Sequence, residues 1–257
     1  MTLSVAQAEI FFLALTRVMA TLIHIPVLGG QAIPNQVKIG LALLLTFVLA
    51  PLALGSNASA AALAPLPAFG LVLAGGREML IGTLTGFSAA LTFGVLQMTG
   101  ELMGMSTGFG SGRVLNPAFE QAGTVIDQAF LVITTLLFLV LNGHHLVLLA
   151  LQQTFVALPV NSPLPALSVQ PLLTITSQLL GAGVLLAAPV MGAALLADVT
   201  MGLLARVAPQ IHVFFLGAPL KVGIGLLALV MVLGLLLPTA TDWLNAIGPH
   251  MLRLIGA

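Results

Sequence analysis

Six long apolar blocks dominate this sequence and leave little polar surface from which a water-soluble domain could be built. They cover residues 8–28, 37–54, 69–96, 125–151, 172–199 and 220–237, and breaks containing proline or glycine separate each from the next. A helix needs roughly 20 apolar residues to cross the hydrocarbon of a membrane, and the blocks are of about that length or longer. Because 59% of the 257 residues are hydrophobic and 5% are charged, the chain is predicted to form a single all-α membrane domain with about six helical segments.

Composition also argues against several other classes of protein. The apolar runs are too long and unbroken for barrel strands, and there is no tyrosine for an aromatic girdle. Seven Lys+Arg balance seven Asp+Glu, so the chain offers no basic surface to nucleic acid. The absence of cysteine removes disulfides and thiolate metal sites. The N-terminal segment lacks the pattern of a removable signal peptide and is expected to be retained.

Charged residues inside the apolar blocks are expected to face protein or water, because each would cost at least a few kcal/mol facing lipid. They are Glu9, Arg17, Arg77, Glu78 and Asp198. We expect the last four to make polar contacts between subunits. Pairing is favoured over a proton relay for Arg77 and Glu78, since a relay needs several aligned carboxylates.

Glycines recur at intervals of four residues at two places, at Gly82 and Gly86 and again at Gly100, Gly104 and Gly108. This small-xxx-small spacing allows helices to approach closely. With so little hydrophilic surface available, these faces are expected to pack against other subunits.

A polar, glycine-dense insert, GELMGMSTGFGSGRVLNPAFEQAG at 100–123, lies between the third and fourth blocks. Irregular backbone is tolerated at membrane depth only where protein buries it or where it lines a cavity. The insert is therefore either an ordinary surface loop or part of a pore wall. Its glycines permit backbone conformations that other residues avoid, while its large apolar side chains could form a movable seal.

Six strings, in order along nearly the whole chain, resemble the FliR/SctT family of type III export-gate membrane proteins. They are LTRVMATLIHIPVLGGQAIPNQVKIGLALLLTFVLAP at 15–51, EMLIGTLTGF at 78–87, GELMGMSTGFGSGRVLNP at 100–117, LFLVLNGHHLVLLAL at 137–151, LLADVTMGLLARVAPQ at 195–210 and RVAPQIHVFFLGAPLK at 206–221. Each string is modestly specific alone, but their joint order and spacing are specific to the family.

The resemblance implies a structural and gating subunit of a flagellar type III protein export gate. In the family, five copies of FliP, four of FliQ and one FliR-type chain form a closed gate for unfolded protein substrates. The implied location is the bacterial inner membrane within the flagellar basal body, projecting toward the periplasm. FlhA, FlhB and rod components would lie nearby, together with membrane lipids, and no cofactor is implied.

The resemblance also implies a division of the chain into a FliP-like part over residues 1–171 and a FliQ-like helical hairpin over residues 172–257. The cytoplasmic tip of that hairpin would contain Arg206, Pro209, Gln210, Pro219 and Lys221.

In the family, the loop equivalent to about residues 104–123 projects into the channel and helps to plug it. The implied gate residues are Met105, Phe109, Gly110, Gly112, Val114, Leu115, Asn116, Pro117 and Phe119. Family loops often carry Asp-Pro where this sequence has Asn116-Pro117, which weakens any carboxylate role there.

Three alternatives remain beside this interpretation. The same role in a virulence secretion system fits most of the strings, although IHVFFLGAPLK favours the flagellar branch. A stand-alone small-solute transporter would require repeated halves, which the sequence does not display. An enzyme is disfavoured because there is no Gly-x-Ser-x-Gly motif and no pair of intramembrane aspartates. Adjacent His144 and His145 point in different directions on a helix, which disfavours a metal site. The string Asn142-Gly143-His144 is instead expected to form a helix irregularity or an interhelical hydrogen bond.

Overall fold

The computed structural model describes residues 4–30, 33–55, 66–109, 124–163, 168–210 and 213–256. All regular elements in these ranges are helices: α1 (Val5–His24), α2 (Pro26–Gly29), α3 (Asn35–Gly55), α4 (Ala68–Ser106), α5 (Val125–Val140), α6 (Gly143–Ala157), α7 (Val169–Val207), α8 (Val213–Asn245) and α9 (Ile247–Leu254). Five are long and apolar enough to cross a membrane, and α5 with α6 make a sixth candidate if they are counted as one broken span. The predicted all-α membrane fold is confirmed.

Local side chains fix where helices begin. Ser4 and Gln7 form a reciprocal capping box at the start of α1, so two backbone N–H groups that lack helical partners are satisfied. At α5 the Thr124 hydroxyl accepts from the N–H of Asp127 at 3.1 Å, and the Asp127 carboxylate lies in the first turn, where the helix dipole favours negative charge.

Several boundaries differ from those predicted by hydropathy. The fifth and sixth blocks, predicted at 172–199 and 220–237, lie within the longer helices α7 and α8. The third block continues as helix to Ser106, well into the glycine-dense insert. The fourth block is two helices, because Asn142 adopts a left-handed conformation with φ 55° between α5 and α6. This confirms the predicted irregularity. A short terminal helix, α9, lies beyond the last block and was not predicted, because its polar residues lower its mean hydropathy while its buried side chains share one face.

The described residues fall into two compact units. Unit 1 lies within Met1–Thr92, Asn142–Ile175 and Leu244–Ala257, and unit 2 lies within Phe93–Leu141 and Thr176–Trp243. The predicted FliP-like and FliQ-like parts concern a likeness to other proteins, and that division stays a prediction.

In unit 1, α1 packs against α3, and α9 packs against α6. Helices α1 and α4 also meet closely, at two glycines. A Cβ atom at Gly86 would lie 2.6 Å from the Thr21 carbonyl oxygen, and one at Gly82 would overlap the Arg17 carbonyl. The glycine spacing therefore does allow close helix approach, as predicted. The expectation that this face contacts other subunits was wrong for these two glycines, because α1 of the same chain occupies it.

Buried hydroxyls on α4 are satisfied within the helix. Thr85, Thr92 and Thr99 donate to the backbone oxygens of Ile81, Ser88 and Val95 at 2.8–3.1 Å. Such back-bonding removes the cost of burying a hydroxyl away from water.

Candidate gate segment and charged sites

The C-terminal turns of α4 form the first part of the predicted gate segment. Residues 100–106 are helical rather than irregular, because glycine at helix-packing positions is compatible with a helix that a neighbour supports. The helix ends where the Thr107 hydroxyl donates to the Met103 carbonyl at 2.8 Å and Gly108 takes φ 86°. A positive φ at the end of a helix favours glycine, which has no Cβ to clash. The predicted need for glycine is confirmed at Gly108.

Unit 2 packs tightly around this end of α4. A Cβ at Gly100 would lie 2.9 Å from Phe130, and a Cβ at Gly104 would overlap the Thr124 hydroxyl. The Thr99 hydroxyl reaches across to α7, where it lies 3.2 Å from the Gly183 carbonyl. Beneath them lies a buried cluster formed by Met103, Ile126, Phe130, Ala187, Val190, Val232 and Leu236. The gate segment therefore begins from a firmly packed base.

Two of the predicted gate residues fall in the described part of the chain. Met105 is 60% exposed at the end of α4. Phe109 is partly buried and packs against the unit 2 cluster. Residues Gly110, Gly112, Val114, Leu115, Asn116, Pro117 and Phe119 lie outside the described residues.

A buried ion pair lies in unit 1, between the Nε of Arg17 on α1 and a carboxylate oxygen of Glu78 on α4, 2.6 Å apart. The side chains are 0% and 2% exposed. The Arg17 Nη1 also donates to the carbonyls of Thr154 and Leu158, at 3.0 and 2.8 Å. These carbonyls belong to the C-terminal end of α6, where the helix dipole favours a cation.

The network around this pair engages both charged groups, although the buried Arg17 Nη2 has no hydrogen-bond partner among the described residues. The second carboxylate oxygen of Glu78 accepts from the N–H of Asn161 at 3.0 Å, and the guanidinium of Arg17 lies 4.5 Å from the ring centre of Phe155. A planar guanidinium with several donors suits such a site better than an ammonium group. The network joins α1, α4 and the end of α6 at one point.

The sequence pointed to Arg17 and Glu78 as charges that avoid lipid, but it did not predict that they pair with each other. The two residues are 61 positions apart. The sequence feature that could have indicated the pairing is that Arg17 and Glu78 each lie on the apolar, buried face of their helix. Their predicted contact with other subunits stays a prediction, while their main polar interactions in the structure are within this chain.

Arg77 points away from this network. It is exposed on α4 next to buried Glu78, as expected for adjacent helical residues about 100° apart. Within the described part of the chain, no hydrogen bond or ion pair is found for Arg77.

An exposed ion pair joins α7 to α8 in unit 2. The Lys221 ammonium lies 2.7 Å from the Asp198 carboxylate, and the two side chains are 24% and 55% exposed. At the predicted hairpin tip, Arg206, Pro209 and Gln210 are all exposed, and Arg206 lies in the last turn of α7. Pro219 lies inside α8, which begins at Val213. The turn between the helices is therefore shorter than the predicted connection over 206–221.

The rings of His144 and His145 lie next to each other at the start of α6, with their centres 4.3 Å apart and their planes tilted by 57°. Among the described residues, no three histidine or carboxylate side chains come together in a way that could hold a metal ion.

Comparison with known proteins identifies the family. The family model described as bacterial export proteins, family 1, matches residues 8–247. The chain is 32% identical over 226 residues to the flagellar biosynthetic protein FliR of Escherichia coli K12, covering 87% of this chain and 84% of that protein. It is 31% identical to FliR of Caulobacter vibrioides, covering 87% and 88%. It is also 32% identical to Yop proteins translocation protein T of Yersinia pestis, covering 86% and 84%. The chain therefore belongs to the FliR/SctT family of bacterial export proteins.

Proposed function

We propose that this chain is the single-copy structural and gating subunit of the inner-membrane gate of a flagellar type III export system. In this role it assembles with FliP and FliQ, close to FlhA and FlhB, and passes unfolded flagellar subunits across the membrane. It acts by forming part of a channel and not by catalysis.

The observation that carries the proposal is the length of α4 and α7, together with the exposed apolar surface that runs along α7. Each helix has 39 residues, which corresponds to about 58 Å at a rise of ~1.5 Å per residue. Exposed apolar side chains extend from Leu173 to Val207 on α7, whereas on α4 they lie between Phe69 and Leu80 and again at Met105. The hydrocarbon core of a membrane is only about 30 Å thick.

Tilting does not remove this mismatch. A tilt of ~40°, at the upper end of the usual range, still leaves each helix spanning about 45 Å. Apolar side chains beyond the hydrocarbon need other apolar protein to cover them. A subunit enclosed by partner helices, with part of the assembly projecting toward the periplasm, meets that need.

A gate at the end of α4 is supported by two features: the tight packing of the last turns of α4, and the apolar residues in the sequence that follows the helix. The base is fixed by the unit 2 cluster around Met103 and Phe130, and the chain leaves the helix at Gly108. The sequence that follows supplies Leu115 and Phe119 as large apolar side chains. A narrow apolar ring closes a pore by excluding water, and a fixed base keeps such a ring in place.

Two partner-facing regions extend the proposal. The α7–α8 hairpin serves as the FliQ-like part, with Arg206, Pro209 and Gln210 exposed at its cytoplasmic tip. Asp198 contributes polar contacts to neighbouring subunits from its exposed position on α7.

A virulence secretion system is the second candidate, since the similarity to the Yersinia protein equals that to FliR of Escherichia coli in percentage identity. Complementation separates the two. A strain lacking its flagellar gene of this family should regain motility and flagellin export when it carries this chain with its cognate FliP and FliQ.

The gating role is tested by deleting residues 108–119 in the assembled complex. We expect the deletion to make cells or proteoliposomes leak small solutes, and Leu115→Ala or Phe119→Ala to leak less. Phe47→Ala is the matched control, because Phe47 is a 75% exposed phenylalanine on α3 and is not part of residues 108–119. Unchanged permeability in correctly assembled complexes would contradict the gating role.

A further inference from the structure

One face of the N-terminal half of α4 is exposed along its length. Its residues recur at intervals of three and four, so they form a single stripe on the helix. The stripe consists of Phe69, Val72, Leu73, Gly76, Arg77 and Leu80. Four of the six are large apolar side chains, between 40% and 76% exposed.

Arg77 is the charged residue of this stripe. An arginine that faces lipid is strongly disfavoured, and within the described part of the chain no carboxylate or carbonyl compensates the charge of Arg77. Arg17, on α1, shows how the same fold treats an arginine that lacks water: a carboxylate and two carbonyls surround it. The stripe therefore lacks the acidic group that Arg77 requires.

Gly76 adds a second feature, because it leaves a notch beside Arg77. A Cβ at Gly76 would meet nothing within 4 Å, whereas Cβ atoms at Gly82 and Gly86, further along the same helix, would collide with α1. The later glycines are used for packing within the chain. The notch at Gly76 is open to a helix from outside, since small residues allow close helix approach in membranes.

We infer that this stripe, Phe69 to Leu80, is the docking face for a helix of another gate subunit that carries an aspartate or glutamate among apolar residues. That carboxylate pairs with Arg77, and the backbone of the same helix seats against Gly76. The inference rests on the proposed function and names the chemistry of one partner contact in it. An ion pair of this kind, out of water and with hydrogen bonds, fixes which partner binds and in which register.

Cross-linking identifies the partner directly. The sequence contains no cysteine, so a single Val72→Cys or Leu80→Cys variant carries one attachment point for a thiol-specific photo-cross-linker. In the complete co-expressed complex, we expect cross-links to one apolar helix of a partner subunit, within about a turn of an acidic residue. Cross-links to phospholipid only would overturn the inference and assign Arg77 to a lipid phosphate.

Charge reversal tests the pairing. We expect Arg77→Glu to reduce the co-purified partner about tenfold or more, the equivalent of ~1.4 kcal/mol, with Arg77→Lys retaining part of it. Reversing the acidic residue found by cross-linking should restore assembly. Arg253→Glu is the control, since Arg253 is exposed on α9 and outside the stripe.

A variant at Gly76 tests the docking face without changing any charge. Gly76→Leu should leave the thermal stability of the isolated chain unchanged or raise it slightly, because its side chain enters open space and glycine is a poor helix former, while it lowers assembly. Normal assembly of both Arg77→Glu and Gly76→Leu would refute the docking face. The proposed function would survive that result, whereas failure of the unmodified chain to co-purify with any partner would count against the proposed function itself.

Discussion

Two ion pairs among the described residues have nearly the same length and very different surroundings. Arg17 and Glu78 are 2.6 Å apart with side chains 0% and 2% exposed, while Lys221 and Asp198 are 2.7 Å apart with side chains 24% and 55% exposed. The buried pair is supported by three further hydrogen bonds, from Arg17 to two carbonyls and from the Asn161 N–H to Glu78.

The N···O distance of an ion pair therefore does not determine how much the pair contributes to stability. Removing one member of a buried pair leaves an uncompensated charge out of water, which costs about 3–5 kcal/mol. An exposed pair exchanges its partner for water, so its loss costs about 0–1 kcal/mol. Unit 1 should therefore depend on its ion pair far more than unit 2 does.

The largest effect is expected for Arg17→Met, which strands Glu78. We expect a loss of about 3–5 kcal/mol, measured by thermal unfolding of the purified chain in detergent. Arg17→Lys should be milder, because lysine keeps the charge but cannot supply both the Nε and Nη1 contacts. The double variant Arg17→Met/Glu78→Met should recover part of the loss. Equal stability of Arg17→Met and the unmodified chain would contradict a buried, coupled network.

The next largest effect is expected at the glycine contact beside this pair. Gly86→Ala places a Cβ 2.6 Å from the Thr21 carbonyl oxygen, so α1 and α4 must separate, at a cost of about 1–3 kcal/mol. Gly40→Ala on α3 is the matched control, because a Cβ there meets nothing within 4 Å. The control should be neutral or stabilising by up to ~1 kcal/mol. The same unfolding assay measures both.

A smaller effect on stability is expected at His250 on α9. This residue is partly buried and lies outside the candidate membrane spans. Burial, and secondarily the positive charge of Arg253, lowers the pKa of His250 from its usual 6.5. The unfolded chain then binds a proton more readily than the folded chain, so stability is retained above pH 6.5 and falls as the pH drops below it. His250→Gln should flatten this pH dependence, and an unchanged profile would contradict it.

The smallest effect is expected for the exposed pair. Asp198→Asn should change the stability of the isolated chain by no more than about 1 kcal/mol, and by less at high salt because screening weakens exposed charges. Thermal unfolding at low and high ionic strength measures both. A loss as large as that of Arg17→Met would remove the distinction between the two pairs.

Much of the fold could be predicted from the sequence, because hydropathy reports directly on helices of membrane length. The long apolar runs predicted the all-α membrane fold, and the glycine intervals at Gly82 and Gly100 predicted close helix contacts. Hydropathy did not predict α9, because this helix of eight residues is too short and too polar to form an apolar block.

Pairing between distant residues could not be read from hydropathy. Arg17 and Glu78 each signalled a need for a partner, but partner choice depends on which faces of α1 and α4 meet. The glycines at 82 and 86 marked the face of α4 that contacts α1, and Glu78 lies one turn before Gly82 on that face. The predicted gate residues were proposed from family resemblance, and only Met105 and Phe109 fall within the described residues.

The most direct test of the central claim is the mass of the particle that contains this chain. When it is co-expressed with its cognate FliP and FliQ and extracted in mild detergent, native mass spectrometry should find one 26.4 kDa copy bound together with both partners. A chain that runs alone, or as a symmetric assembly of its own copies, would contradict the claim that it is a single-copy subunit of an export gate.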